Sequence, residues 1–534
     1  MGLPLVAEQP RLKSIAAVLA RAVTGNRVIA LLLMLTLGLL PRLWDIAQPF
    51  LGYHGWNEVY YVTIARNFEH FGLLSLYNYD ATGGSPLSQR LGPSPFVPWL
   101  VYFSSALLGT AEWVARLPIL ILGMFSLLAL YFIARELYGH GVGLTATFLA
   151  AIMPGAVFFS RQIALDGPMT AFGLGAVWMM LLAERRRQYR WVLLSAMLLA
   201  VAIFIKYTAA LFIPSLAWLW LKMVRHGARP RNGLIWARSA ICLAVAALPA
   251  IAWFTLGTAV AVAQSTQSPW SGYLNRAYEF AIGNWVAALQ AAWTRAAAQL
   301  GPLLWYYLLV ALILALLTSD RRALVKQHLG LILLTVPWFA QIAYPVSWYQ
   351  NDAYTYPALY GVAVLLALLL RGTLRLAQAT PVFSARSLGV AVVLLGVLAY
   401  GSSLWDYRQT YRSWYHSSPD ETYRAMQLPA NLVTPGDPFM SARMVRFLND
   451  GHEPVLADLP ETLYYAQDEY WRGRAVWLWK GLGDEQDRMV AAIESREYSY
   501  VVFTYFPSLD ITYALVGSGY YRIGPAVWVK AANP

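Results

Sequence analysis

The chain has 534 residues, of which 58% are hydrophobic and only 13% charged, with a mean hydropathy of +0.47 and a formal net charge of +12. A soluble domain carries roughly twice that share of charge, and many windows of about 20 residues, the length that crosses a bilayer, are apolar. An ordinary soluble protein is excluded, and the single cysteine, Cys242, excludes an intrachain disulfide.

In chain order, the first residues carry Arg11, Lys13, Arg21 and Arg27 ahead of a long apolar run. No small-residue cleavage site follows, so the pattern predicts a cytoplasmic N-terminus over 1–26 and a retained first span rather than a removed signal peptide. Spans are predicted at 27–44, 112–134, 141–159, 167–183, 191–205, 207–224, 236–258, 301–318, 329–347, 354–371 and 387–405. The run from Pro93 to Gly109 is apolar but short and proline-rich at its start, and reads as a juxtamembrane or re-entrant helix. The fold class expected is thus a polytopic α-helical membrane protein of about eleven transmembrane helices, with juxtamembrane helices and a small extracytoplasmic C-terminal α/β domain.

Charge placement fits this order. The segments expected inside hold Arg135, Glu184 to Arg187, Arg190, Lys222 to Arg238, Arg321, Arg322, Lys326 and Arg371 to Arg386. Basic residues concentrated there are what the positive-inside rule requires. The tail from Asp406 has about 12 Lys and Arg against about 16 Asp and Glu. The positive charge therefore orients the chain and attracts anionic lipids; it does not mark a nucleic-acid site. Long outer segments are expected at 45–92 and 255–300, with the transmembrane module over 27–405 and the soluble domain over 406–534. In that tail, 488–494 reads as helix, and 498–504 and 526–530 as strands.

Polar residues at a bilayer are costly and usually have a role. They gather on the segments expected outside. The densest cluster is Gly52-Tyr-His-Gly-Trp-Asn-Glu-Val-Tyr-Tyr61. Asn57 could be a simple N-cap and Glu58 a first-turn acid that complements the helix dipole over Glu58 to Phe71. Equally, Glu58 or His54 could act on a substrate, with Trp56, Tyr60 and Tyr61 as a sugar platform. Asp166, just before Gly167-Pro168, could cap the next span or take part in chemistry. Lys206, between two apolar runs, could snorkel or meet a phosphate. Arg90 is either an exposed loop residue or a second phosphate contact. Asp352 and Tyr354 lie in an aromatic-rich turn suited to a membrane belt or to gripping a sugar. Glu58, Asp166 and His54 are the candidate ligands should a divalent metal bind; no cofactor is required by any motif, and no P-loop or dinucleotide-binding glycine pattern occurs.

Taken in order, one span, an outer loop with an acid before Tyr, Arg116-Leu117, Arg135-Glu136-Leu137-Tyr138-Gly139, Pro154, Ser160-Arg161, Asp166 and a later Lys resemble the C-type (GT-C) membrane glycosyltransferases. Protein O-mannosyltransferases and aminoarabinose transferases look most similar. The resemblance covers roughly Arg27 to Arg375. It implies transfer of a sugar from a polyprenyl-phosphate donor (undecaprenyl- or dolichyl-phosphate) to a protein, lipid or glycan, with inversion, at the outer face of a bacterial cytoplasmic membrane. By the same resemblance Asp166 matches the second family acid, and Lys206 and Arg90 stand where cations meet the donor phosphate; Arg161 is a further candidate contact of that phosphate. One position departs: the family pairs Asp-Glu where this chain has Asn57-Glu58, and Asn cannot accept a proton. A transporter of polyprenyl-linked lipids, or an assembly protein that has lost catalysis, are the rival readings.

Overall fold

The computed structural model describes residues 26–44, 46–48, 50, 55–74, 77–79, 87–89, 94–225, 248, 251–253, 255, 285–318, 328–338, 352–379, 385–409, 455–457, 475–477, 484–502, 509–524 and 527–531. The chain divides into two units. One comprises Met1–Asp45, Ile119–Ala252 and Gln267–Tyr407; the other comprises Ile46–Pro118, Trp253–Thr266 and Arg408–Pro534.

The first unit is helical. Its helices are α1 (Arg27–Leu43), the greater part of α4 (Glu112–Tyr138), α5 (His140–Ile152), α6 (Pro154–Phe159), α7 (Asp166–Arg186), α8 (Tyr189–Ile205), a 3₁₀ turn Tyr207–Phe212 running into α9 (Ile213–Arg225), α10 (Trp285–Leu300), α11 (Pro302–Thr318), α12 (His328–Trp338), α13 (Tyr356–Ala379) and α14 (Ala385–Tyr407). Among the described residues five helical stretches are long and apolar enough to cross a membrane: Glu112–Tyr138, Asp166–Arg186, Tyr207–Arg225, Tyr356–Gln378 and Val390–Tyr407. Phe96–Leu108, His140–Ile152, Tyr189–Ile205 and His328–Trp338 are apolar but shorter. The chain is an integral membrane protein.

One expected feature comes out differently, and one segment expected outside carries a helix. The span expected as one helix over 141–159 is broken at Met153, because Pro154 starts a new helix at its first position, where a missing N–H costs nothing. Residues 285–300, expected within an outer loop, form the Ala-rich helix α10. Gln299 near its end is buried against α6, where a Cβ on Gly155 would lie 2.9 Å from the Gln299 side chain. Only a glycine admits that approach. The span expected at 236–258 lies almost wholly outside the described residues.

Breaks in helices release carbonyls, and side chains take them up. Pro41 inside α1 cannot donate to Leu37, four residues earlier; the Tyr400 hydroxyl of α14 donates to that carbonyl instead, at 3.3 Å. Arg42, fully buried, donates to Gly38 O in its own helix, to Ala151 O and Ala156 O on either side of the α5–α6 break, and to Ser160 Oγ at 2.7 Å.

In the second unit α2 (Gly55–Phe71) packs on α3 (Phe96–Leu108) through Ile64 and Phe68, with Tyr60, Trp99, Tyr102 and Trp253 around them. The expected apolar face Tyr61, Ile64, Ala65 and Phe68 is buried. A short antiparallel pair, β1 (Tyr77–Tyr79) and β2 (Leu87–Gln89), follows α2. Later in the same unit, β3 (Val455–Ala457), β4 (Ala475–Trp477), β5 (Tyr500–Val502), β6 (Tyr520–Gly524) and β7 (Val527–Lys530) form one sheet in the order β4-β3-β5-β7-β6. The β3–β4 and β3–β5 pairs are parallel and the rest antiparallel. Helices α15 (Asp484–Glu494) and α16 (Leu509–Gly517) close a core of Met489, Ile493, Tyr498, Val501, Ile511, Leu515, Tyr520 and Trp528. Burial pushes the Tyr520 phenol up to about 12, so it stays a neutral donor to Tyr498 O at 2.6 Å.

The Pro41–Tyr400 relation is open to a double-mutant cycle. Tyr400→Phe should cost about 1 kcal/mol, the usual worth of one hydrogen bond. The same change should cost clearly less in a Pro41→Ala background, where the helix can satisfy Leu37 itself; denaturation in detergent reads both.

Candidate active site

Glu58 is the fourth residue of α2 and is buried. Its carboxylate is gripped from the side by Arg116: Nε donates to Oε1 at 2.8 Å, and a terminal nitrogen donates to Oε2 at 2.6 Å. The other terminal nitrogen of Arg116 donates to the carbonyls of Ile46, at 2.8 Å, and Gln48. The guanidinium also sits 4.8 Å from the centre of the Phe50 ring. One arginine thus draws the 46–50 segment and the first turn of α2 onto the start of α4. Two charge-assisted bonds in a fixed fork are the strongest pairing a carboxylate can have.

Asn57 does not cap this helix: α2 begins at Gly55, so Asn57 lies within its first turn and is half-buried. Tyr60 and Tyr61 follow it with rings edge to face, 5.2 Å between centroids; Tyr61 is buried and Tyr60 half-buried. Trp56 lies in the same first turn, while His54 and Arg90 fall outside the described residues. Asp352 and Tyr354 form part of a 3₁₀ turn, Asp352–Thr355, that leads into α13.

In the first unit, Asp166 opens α7. The capping role considered for it is not what it performs: Leu165 occupies the cap position, and the Asp166 carboxylate instead accepts from Lys206 Nζ at 2.8 Å. Both side chains are nearly buried, at 8% and 12% exposure. Lys206 stands between α8 and the 3₁₀ turn in extended backbone, which aims it back at α7. An ion pair this dry has given up hydration on both sides, so its partners stay paired.

Arg161 lies on the turn between α6 and α7 and is 4% exposed. It donates to Arg42 O at 3.4 Å, to Trp44 O and to the Tyr407 hydroxyl, with its guanidinium 5.6 Å from the Tyr407 ring centre. All of these acceptors are uncharged, as are those of Arg42. Among the described residues, neither arginine has a carboxylate in contact. Tyr356 and Tyr360, both fully buried and bonded hydroxyl to hydroxyl at 2.5 Å, lie within electrostatic range of Arg42. Asp166, Lys206, Arg161 and Arg42 therefore gather at one end of this helical unit with two more positive charges than negative.

Among the described residues no group of three His, Cys, Asp or Glu could hold a metal ion.

Known proteins bear on this arrangement. Residues 92–253 match the family model for dolichyl-phosphate-mannose-protein mannosyltransferases. Over 215 residues the chain is 26% identical to the Bacillus subtilis (strain 168) protein named "Putative mannosyltransferase YkcB"; the match takes in 39% of this chain and 29% of that relative's length. The structure aligns with ArnT from Cupriavidus metallidurans bound to undecaprenyl phosphate at a TM-score of 0.59, with 17% identity, covering 94% of this chain and 98% of that one. It also aligns with the oligosaccharyltransferase AglB of Archaeoglobus fulgidus, in complex with an inhibitory peptide and a dolichol-phosphate, at a TM-score of 0.55 and 13% identity, over 89% and 69% of the two chains.

The fold is that of the GT-C membrane glycosyltransferases. Within it, the family-model match contains Arg116, Arg161, Asp166 and Lys206 and begins after Glu58. Arg42, Tyr356, Tyr360 and Tyr407 were not singled out from the sequence. Arg42 did leave a signal there, since a charge inside an apolar run is rarely idle. The tyrosines left none, being indistinguishable from aromatic-belt residues.

The Glu58–Arg116 pair has a distinctive mutational signature. Arg116→Ala should destabilise by about 3–5 kcal/mol, because it strands a buried carboxylate. Arg116→Lys should fail to restore this, having no fork. Glu58→Gln combined with Arg116→Met should be milder than Arg116→Ala alone; detergent-solubilised thermal unfolding ranks the three.

Proposed function

We propose that the chain is a glycosyltransferase that moves a sugar from a polyprenyl-phosphate donor, undecaprenyl- or dolichyl-linked, to a protein, lipid or glycan acceptor. The observation that carries this is the excess of positive charge, among the described residues, at the Asp166 end of the first unit. A buried guanidinium without a counter-charge is expensive, and an anionic ligand near Arg161 and Lys206 would lower that cost. The fold supports the same reading, since ArnT and AglB have structures that hold undecaprenyl phosphate and dolichol-phosphate.

The residue roles follow from chemistry. The polyprenyl phosphate leaves as an anion, and Lys206 and Arg161 would stabilise the departing charge; Arg90, outside the described residues, is a further phosphate candidate. Asp166 holds Lys206 in place. Attack by a hydroxyl or amide acceptor needs a group to take its proton. Asn57 cannot do so, and Glu58 is committed to Arg116. The base is then His54, which immediately precedes α2, and Glu58 is a positioning residue that fixes the start of that helix. Trp56 and Tyr60, with Tyr61, Asp352 and Tyr354, are the proposed sugar and acceptor contacts. A divalent metal, if bound, would add Lewis-acid stabilisation of the phosphate. About eleven crossings, a soluble α/β domain over 406–534 and a reaction at the periplasmic face of the bacterial cytoplasmic membrane complete the proposal.

The test uses the purified full chain in nanodiscs, with a panel of polyprenyl-phosphate sugars, a membrane extract as acceptor source, and EDTA in parallel. Free polyprenyl phosphate is followed by mass spectrometry. Release from one donor is expected, and Arg161→Gln should lower kcat/KM by roughly tenfold to a hundredfold, the worth of one charge-assisted bond. No release from any donor would favour the transporter or the inactive assembly protein. Loss of release with EDTA would establish the metal.

A further inference from the structure

The opposite end of the helical unit carries an arrangement that sugar transfer does not use. At about 1.5 Å per residue, the 21-residue helix Asp166–Arg186 is about 31 Å long, matching a bilayer's hydrocarbon core. With Asp166 at one boundary, Arg186 marks the other, so the turn into α8 lies at headgroup level. Over residues 135–136, 184–190 and 222–225 only Glu136 and Glu184 are acidic. Glu136 is taken by Arg135 at 2.6 Å and by Arg185, and Glu184 by Lys222 at 3.2 Å. Arg186, Arg187 and Arg190 are exposed, and none has a carboxylate partner among the described residues.

Two of these arginines stand over an aromatic ring. The guanidiniums of Arg186 and Arg190 lie 5.5 Å and 5.1 Å from the centre of Trp191. Gln188 fixes the group, accepting from both Arg190 Nε and Trp191 Nε1 at 3.1 Å. A tryptophan is at home among headgroups, and here two positive charges are held against it.

Arg187 supplies an independent observation. It caps α7 in the left-handed conformation, φ 57° and ψ 33°, its N–H donating to Ala183 O at 2.9 Å. Glycine is the residue that this position favours, and Asn comes next. An arginine there is a poor choice for the backbone, so the reason for it lies in its side chain.

We propose that Arg186 and Arg190, over Trp191, together with Arg187, form a binding site for the phosphate of an anionic phospholipid in the leaflet at this end of the molecule. The phosphodiester would sit among the three guanidiniums while its acyl chains follow the exposed apolar face of α8, where Leu194 and Met197 lie. Phosphatidylglycerol has the required chemistry; phosphatidylcholine shares the phosphate but cancels it with a trimethylammonium group.

The test is a native mass-spectrometric titration of the full-length protein in detergent with short-chain phosphatidylglycerol and phosphatidylcholine. Phosphatidylglycerol should bind one site at least tenfold more tightly. Arg187→Gly should weaken it by roughly fivefold, and Arg186→Gln/Arg187→Gly/Arg190→Gln by roughly a hundredfold, since each arginine near an anionic headgroup is worth about a factor of five. Phosphatidylcholine binding should not change. Because glycine suits the left-handed cap, Arg187→Gly should unfold no earlier than wild type, which separates lost binding from lost folding. Equal affinity for both lipids, or full retention of phosphatidylglycerol by the triple variant, overturns the proposal. Displacement of the lipid by an equal concentration of inorganic phosphate would also overturn it, making this a free-phosphate site.

Discussion

A charge carried into a low-dielectric interior must be met by another charge or by a dense set of oriented dipoles, and this chain depends on both solutions. Glu58 and Arg116 meet as a full fork, and Asp166 and Lys206 as a single dry contact. Arg42 takes the second route, its guanidinium surrounded by three carbonyls and the Ser160 hydroxyl. Pairing one buried charge with another is poor evidence of net stability, because desolvation offsets much of the attraction. Such groups are better understood as fixing geometry. Arg116 fixes the entry to α2, Lys206 fixes Asp166 at the start of α7, and Arg42 fixes α1 to the broken α5–α6 segment.

The breaks are as informative as the helices. A membrane helix interrupted by proline must have its freed carbonyls satisfied by protein. Here Tyr400 serves Leu37, and Arg42 serves Ala151 and Ala156. Polar side chains inside the apolar unit thus do structural work where the chain turns, and the turns are where Ser160, Arg161 and Asp166 are presented. In this unit the candidate residues Arg161, Asp166 and Lys206 lie at interruptions, where backbone is exposed and the chain changes direction.

Much of this was legible beforehand because apolar period and charge act over whole segments. The helix over Glu58 to Phe71, its buried face, the spans at 112–134 and 387–405 and the tail strands at Tyr500–Val502 and Val527–Lys530 all follow from pattern. What was not legible depends on partners distant in sequence. Glu58 looks like an ordinary first-turn acid until Arg116, 58 residues later, is seen holding it. Asp166 has the sequence context of a cap, yet Lys206 claims its carboxylate from 40 residues away. The break at Met153 was signalled by Pro154 but hidden within a continuous apolar run. The helix at Trp285–Leu300 was obscured because its alanines and polar residues do not look like a span.

In the proposed assignment Glu58 holds Arg116 and His54 takes the acceptor's proton. The most direct test is the pH–rate profile of sugar transfer in wild type, Glu58→Gln and His54→Gln. A histidine base, with an unperturbed value near about 6.5, gives an acidic limb in that region. The account predicts that His54→Gln abolishes this limb and lowers turnover by about a hundredfold to ten-thousandfold, the range for general base catalysis. Glu58→Gln should keep the limb with reduced activity. A limb that survives in His54→Gln and vanishes in Glu58→Gln would show that Glu58 leaves Arg116 to take the proton, and would contradict the account.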